Sequence, residues 1–61
     1  MRLTYNGREY TLIDAVGRVL GWTRDATLAE EIKEVITKYD YWHDLPFELR
    51  RKLVVAGFAG M

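Results

Sequence analysis

The chain has 61 residues, no cysteine, and nine basic residues balanced by nine acidic ones. A chain this short has room for one small core that buries about 60% of its unfolded surface, and without cysteine it has no disulfide or thiolate metal site to stabilise it. Zero net charge does not favour nucleic-acid binding, and an apolar content of 49% argues against disorder. We expect residues 1–61 to form a single small domain.

Residues 2–12 are predicted to form a β-hairpin. Asn6-Gly7 is the strongest short-range hairpin signal, because a type I′ turn needs positive φ at both central residues. A two-residue loop would place Tyr5 opposite Arg8 and Leu3 opposite Tyr10. In this register one face carries Met1, Leu3, Tyr5, Arg8, Tyr10 and Leu12. The other face carries Arg2, Thr4, Glu9 and Thr11.

The next segment is predicted to form a short helix from about Leu12 to Leu20. Thr11 and Asp14 have the spacing of a capping box at a helix start. Apolar residues recur at helical spacing, at Ile13, Val16 and Leu20. In this interpretation Gly17 permits close packing in the middle of the helix, and Gly21 ends it.

A central helix is predicted over Thr27–Tyr39. One apolar stripe follows the helical period, at Leu28, Ile32, Val35, Ile36 and Tyr39. Thr27 and Glu30 match a capping box, and Glu34 and Lys38 form an i,i+4 ion pair. This stripe is the surface that the rest of the chain is expected to cover.

A last helix is predicted to begin at Asp44-Leu45-Pro46, since proline is tolerated in the first turn. It would run to about Ala56, with Gly57 as its C-terminal cap. The predicted fold class is α+β, an N-terminal β-hairpin followed by three α-helices, the last two forming a helical hairpin. The expected core residues are Leu3, Tyr10, Leu12, Val16, Leu20, Leu28, Ile32, Val35, Ile36, Leu45, Leu49 and Leu53.

The chain has few of the residue types that enzymes use for nucleophilic catalysis. The chain has no serine or cysteine and a single histidine, so it lacks the usual nucleophile and base pairs. Asp40, His43 and Asp44 are metal-ligand residue types, but a catalytic zinc site usually takes two or three histidines. Solvated or capping roles fit them better. We therefore expect no enzymatic activity, cofactor, metal or small-molecule substrate.

The N-terminal residues are charged and polar, and no apolar run approaches the roughly 18 residues of a membrane-spanning helix. This predicts a cytoplasmic protein without membrane association.

One alternative function is DNA binding. The predicted helix over residues 12–20, the turn at Gly21 and the capped helix from Thr27 have the order of a helix-turn-helix motif. The exposed face of the second helix carries Glu30, Glu31 and Glu34, which phosphates would repel. The turn is also a residue or two longer than usual. A small DNA-binding regulator is therefore the second interpretation, and nucleic acid the less favoured partner.

The leading interpretation is a non-enzymatic protein-interaction module, such as an inhibitor or accessory protein of a virus or mobile element. The connector 39–44 is unusually aromatic, and the last helix has a wider apolar arc than one contact needs. The hairpin and the central helix could between them cover that arc. Otherwise it meets a protein partner or a second copy in a homodimer, and aromatic and arginine residues favour such an interface. The predicted interface residues are Tyr41, Trp42, His43, Phe47, Arg50, Arg51, Val54, Val55 and Phe58.

Charge is also segregated along the chain. Residues 27–44 carry two lysines and five acidic residues, whereas residues 45–61 carry three basic residues and only Glu48 as an acid. This predicts an acidic helix beside a basic one, or a charged face that meets a complementary partner.

Overall fold

The computed structural model describes residues 1–55 and Phe58. The strands are β1 (Arg2–Tyr5), β2 (Tyr10–Ile13) and β3 (Val19–Thr23). The α-helices are α1 (Ala26–Ile32) and α2 (Phe47–Val55), and two short 3₁₀ segments between them cover Val35–Lys38 and Trp42–Asp44. The predicted β-hairpin with three helices is therefore wrong. A three-stranded antiparallel sheet, in the order β1-β2-β3, precedes two α-helices.

The helix predicted from Leu12 to Leu20 does not form. Its residues instead complete β2, make a turn and begin β3. The apolar spacing was misleading, because the flanking sequences Tyr10–Ile13 and Val19–Thr23 are rich in the β-branched and aromatic residues that favour strands. Gly21 does not end a helix but lies buried within β3, opposite Leu12.

Asp14 organises the turn between β2 and β3. Its side chain is almost completely buried and accepts hydrogen bonds from the backbone N–H groups of Val16, at 3.1 Å, and Arg18, at 2.9 Å. The Arg18 Nε donates to the second carboxylate oxygen at 2.9 Å. Gly17 has a φ of 87°, a left-handed conformation that costs glycine little. Asp14 and Gly17 are thus turn residues, and the capping box predicted with Thr11 is not present.

The antiparallel pairing of β1 with β2 is present, but its register differs by two residues from the prediction. Tyr5 lies opposite Tyr10 and Leu3 opposite Leu12, so residues 6–9 form a four-residue loop. The Asn6 side chain accepts hydrogen bonds from the backbone N–H groups of Arg8 and Glu9, both at 2.9 Å, which stabilises this longer loop. A shift of two residues keeps every strand side chain on its predicted face, since strand side chains alternate with a period of two.

A bulge lies in β3. Leu12 pairs with Gly21 and Ile13 with Val19, which leaves Leu20 as an extra residue on this strand. Leu20 is half-buried and packs against the core, whereas Val19 is 66% exposed. The bulge thereby changes which side chains of β3 face the helices.

The helix α1 is shorter than the predicted Thr27–Tyr39. Its N-cap is Asp25, whose carboxylate accepts a hydrogen bond from the Leu28 N–H at 3.1 Å, and not Thr27. Beyond α1, the Thr37 hydroxyl donates to the Glu34 carbonyl at 2.6 Å. The β-branched run Val35-Ile36-Thr37 has lower helix propensity, and this local bond competes with helical bonding. The backbone therefore tightens into the first 3₁₀ segment.

The core lies between the sheet, α1, the 3₁₀ segments and α2. Its buried apolar cluster consists of Met1, Leu12, Leu28, Ile32, Ile36, Leu45, Leu53 and Phe58. Among the other predicted core residues, Leu3, Leu20, Val35 and Leu49 are partly buried against this cluster, and Tyr10 is half-buried. Val16 was wrongly predicted, because its turn leaves it 62% exposed.

Within the described part of the chain, no helix combines the length and the apolar character needed to cross a membrane.

Candidate functional site

The helix α2 has two different faces. On one face Leu53 is fully buried and Leu49 is half-buried against the core. The other face carries five residues at i, i+3, i+4, i+7 and i+8, which are Phe47, Arg50, Arg51, Val54 and Val55. This spacing places them on one continuous stripe of the helix. The stripe has apolar side chains at both ends and two arginines in the middle.

A groove with a volume of about 310 Å³ lies along this stripe, and we call it the α2 groove. Its lining residues are Trp42, Phe47, Arg50, Arg51, Val54 and Val55. Phe47 is 69% exposed, Val54 50% and Val55 77%. Trp42 is half-buried and packs against the core on its other side. A large part of the apolar surface of α2 therefore faces solvent.

Local hydrogen bonds fix the segment that carries Trp42. The Asp44 N–H donates to the Tyr41 carbonyl at 3.0 Å, and the Leu45 N–H donates to the Trp42 carbonyl at 3.2 Å. The Asp44 carboxylate in turn accepts from the Tyr41 N–H at 3.3 Å. Leu45 is buried directly after this segment, so it anchors the chain before Pro46 leads into α2. The Trp42 wall of the groove is thus tied to the core.

The charges of the groove are unbalanced within the described residues. Outside the groove, four cations of the described residues form ion pairs, namely Arg18 with Asp14, Arg24 with Glu9, Lys33 with Glu30, and Lys52 with Glu31. Arg50 and Arg51 form no ion pair with any carboxylate of residues 1–55. The Nε of Arg50 is buried and has no acceptor in the same part of the chain. The α2 groove therefore combines apolar walls with two guanidinium groups.

Six of the nine predicted interface residues line the groove together. Tyr41 and His43 flank Trp42 in the chain and are exposed, but they do not line the groove. Phe58 lies elsewhere: it is only 3% exposed, packs in the core, and donates its backbone N–H to the Leu53 carbonyl at 3.2 Å. The predicted helix end at Ala56 and the cap at Gly57 lie outside the described residues.

Several exposed apolar side chains were absent from the predicted interface, among them Tyr5 on β1. Val16 and Val19 lie on the turn and strand that replaced the predicted helix. Trp22 is 39% exposed on β3, and the Arg24 guanidinium lies 5.5 Å from its ring centroid. A strand assignment for residues 19–23 would have placed Trp22 on the outer face of the sheet, because it alternates with Gly21 and Thr23.

Two of the three residues considered as metal ligands take part in local hydrogen bonds. Asp44 caps the segment that carries Trp42, and the Asp40 carbonyl accepts a hydrogen bond from the Ala15 N–H at 2.9 Å. No three His, Cys, Asp or Glu side chains of residues 1–55 group closely enough to hold a metal ion. The helix-turn-helix motif is also not formed, since its first helix is replaced by strands.

No protein-family model matches the chain, and comparisons with curated proteins and with solved structures gave no match. Among the described residues, the α2 groove joins apolar walls, uncompensated charge and a rigid attachment to the core.

Proposed function

We propose that the protein is a small non-enzymatic interaction module that binds a segment of a partner protein in the α2 groove. The observation that carries this proposal is the exposure of Phe47, Val54 and Val55 on a helix whose opposite face already packs in the core. Contiguous exposed apolar surface with a polar rim is typical of protein–protein contact sites. Covering it would give a gross gain of about 25 cal/mol per Å² of apolar surface removed from water, from which the entropy lost on association is subtracted.

The side chains of the groove match those that dominate measured binding energies. Tryptophan and arginine are enriched at interface hot spots, where a pocket is fully desolvated on binding. Trp42 is held against the core and the backbone of the arginines is fixed in a helix, so the ordering cost on binding is confined mainly to the arginine side chains. These properties support binding of a protein segment, with no need for a nucleophile, metal or cofactor.

The test compares two valine-to-aspartate variants in capture experiments with extracts of cells that naturally express the chain. Val55→Asp places a carboxylate in the groove, and Val19→Asp makes the same change at a similarly exposed position on β3. Thermal unfolding curves first confirm that both variants fold. We expect at least one protein to be captured by the wild type and by Val19→Asp but lost with Val55→Asp.

Two outcomes contradict the proposal. In one, every captured protein is retained equally by the wild type and both variants, which would place binding outside the groove. In the other, the wild type captures no protein above the level of an empty support.

A further inference from the structure

We infer that the occupant of the α2 groove is an acidic segment of a partner protein that carries one or two large apolar anchor residues. This inference rests on the proposed function and specifies its ligand. The anchors would fill the space between Trp42 and the valines of α2, and neighbouring carboxylates of the segment would bind Arg50 and Arg51.

The charge of the groove is the first argument. Lys52, next to Arg51 in the chain, is already paired with Glu31 of α1, with 2.7 Å between the Nζ and carboxylate oxygen atoms. Arg50 and Arg51 have no such carboxylate among residues 1–55, and the buried Arg50 Nε has no acceptor there. Covering these guanidinium groups with an apolar or basic partner would remove water from charges without compensation, which is costly. An acidic partner supplies the missing acceptors and can bind a guanidinium with two parallel hydrogen bonds.

The geometry of α2 is the second argument, because it disfavours a second copy of this chain as the occupant. The described part of α2 runs from Phe47 to Val55, and Arg51 is the middle residue of this part. A twofold antiparallel pairing of α2 with its copy, centred on Arg51 so that the full stripe is covered, would bring Phe47 against Val55 at both ends. The same pairing would bring Arg51 against Arg51 at the centre, where like charges repel.

The exposed face of α1 does not solve this problem for a second copy. It supplies the carboxylates Glu30, Glu31 and Glu34. The large apolar residues of α1, Leu28 and Ile32, are buried in the core and cannot enter a groove. A second copy therefore offers acidic groups without anchors at α1. At α2 it offers anchors, but only the single carboxylate of Glu48 beside the three cations Arg50, Arg51 and Lys52.

The volume of the groove is the third argument. About 310 Å³ lies at the lower end of the range of roughly 300–1,000 Å³ typical of ligand pockets. This space suits one or two large side chains rather than a complete helix or a second domain. The expected ligand is thus a short linear segment with an aromatic or branched aliphatic residue beside Asp or Glu.

The experiment selects short random peptides displayed on phage against the wild-type protein, with prior removal of all phage that bind the Val55→Asp variant. We expect the surviving groove-dependent peptides to be enriched in Asp and Glu close to a large apolar residue. The strongest peptide is then synthesised in three forms: as selected, with its acidic residues changed to Gln or Asn, and with them changed to Lys.

Binding of the three peptides is measured by fluorescence anisotropy with the wild type, with Arg51→Glu, and with Arg8→Glu. Arg51 and Arg8 are both exposed, and Arg8 does not line the groove. We expect the selected peptide to bind Arg51→Glu at least roughly tenfold more weakly, since a lost charge-assisted bond is worth about a factor of ten. Arg8→Glu should bind like the wild type, and the lysine peptide should bind Arg51→Glu more tightly than it binds the wild type.

The outcomes separate this inference from the proposed function. Groove-dependent peptides without acidic enrichment, or neutral peptides that bind as tightly as acidic ones, overturn the acidic occupant and leave the groove as a binding site. If every peptide that binds the wild type also binds Val55→Asp, so that none is left after the removal step, the proposed function itself is contradicted. A wild-type chain that self-associates through α2 in sedimentation equilibrium, and loses this association in Val55→Asp, identifies a second copy as the occupant and overturns the inference.

Discussion

At the scale of single residues, Asp14 shows how one buried carboxylate can define a turn. Burial alone raises the pKa of Asp14. The hydrogen bonds from the Arg18 backbone N–H, the Arg18 side chain and the Val16 N–H together outweigh burial, and hold the pKa below its usual value of 3.8. Folding therefore favours the ionised form of Asp14 over the protonated form.

We predict that Asp14→Asn lowers the melting temperature at neutral pH and removes part of the acid sensitivity of the fold. A carboxylate with a lowered folded pKa contributes its full stability above the unfolded value of 3.8, and loses it as pH falls through the lower folded pKa. Thermal melts of the wild type and variant should therefore begin to converge as the pH falls below 3.8, and should meet only below the lowered folded pKa. The exposed Asp40 provides the control, and Asp40→Asn should leave the melting curves nearly unchanged.

Gly17 gives a prediction whose sign distinguishes a turn from a helix. Its φ of 87° is strained for other residues, although no heavy atom lies within 4 Å of a Cβ placed there. Gly17→Ala should therefore reduce the free energy of unfolding by about 1–2 kcal/mol through backbone strain alone. Gly17→Asn should cost less, because asparagine tolerates this conformation better. A helical site would instead gain up to about 1 kcal/mol from alanine, so stabilisation in a urea titration would contradict the turn.

At the scale of elements, α1 carries the part of the apolar stripe that the sequence predicted best. Leu28 and Ile32 are buried on α1, and Ile36 is buried on the 3₁₀ segment that follows. These positions could be predicted because the helical period needs only local sequence. The end of α1 at Ile32 could not, because the switch to 3₁₀ geometry depends on the balance between β-branched propensity, the Thr37 hydroxyl bond and packing.

We predict that Ile32→Ala reduces the free energy of unfolding by about 2–5 kcal/mol, since the side chain is 1% exposed and its loss leaves a cavity. A chain of 61 residues has a total stability of about 3–9 kcal/mol, so the variant should be partly unfolded at 37 °C. The exposed Glu34→Ala should change the free energy by less than about 0.5 kcal/mol in the same urea titration. A similar small loss for Ile32→Ala would mean that α1 buries a different face.

The sheet illustrates what local sequence could not provide. Ile13, Val16 and Leu20 satisfy a helical period by coincidence, while the strand propensity of residues 19–23 and the Asp14-to-Gly17 turn favour a second β-hairpin. Strand pairing decides between these interpretations, and pairing is a non-local property. The Asn6-Gly7 signal located the first turn but not its length, because the side-chain bonds of Asn6 stabilise a four-residue loop.

At the scale of the whole molecule, the α2 groove was largely predictable from the sequence because it depends on one helix and its neighbouring connector. Excess apolar residues on α2 and the aromatic pair Tyr41-Trp42 were sufficient to indicate it. The inward position of Phe58 was not predictable, since it depends on packing against core residues that are distant in the sequence. Pairing of the lysine beside Arg51 with Glu31 of α1 likewise depends on tertiary structure.

Self-association provides a whole-molecule prediction. Because Arg51 would meet its own copy in a twofold pairing of α2 centred on this residue, we expect the wild type to sediment as a monomer at micromolar concentrations in dilute buffer. Added salt screens this repulsion, as the Debye length falls from about 10 Å at 0.1 M to about 3 Å at 1 M. Arg51→Gln should therefore associate more readily than the wild type at low salt. A wild-type dimer that is stable in dilute buffer would show that the repulsion is compensated.

The most direct test of the α2 groove is the fluorescence of Trp42, measured in a Trp22→Phe variant so that Trp42 is the one remaining tryptophan. The variant is titrated with the acidic peptide selected for groove-dependent binding. We predict a saturable shift of the Trp42 emission to shorter wavelength, because the bound anchor residue removes water from the indole ring. The same titration of a Trp22→Phe, Val55→Asp double variant should give no shift. If anisotropy shows saturated binding of the peptide while the Trp42 emission stays unchanged, the groove is not the binding site.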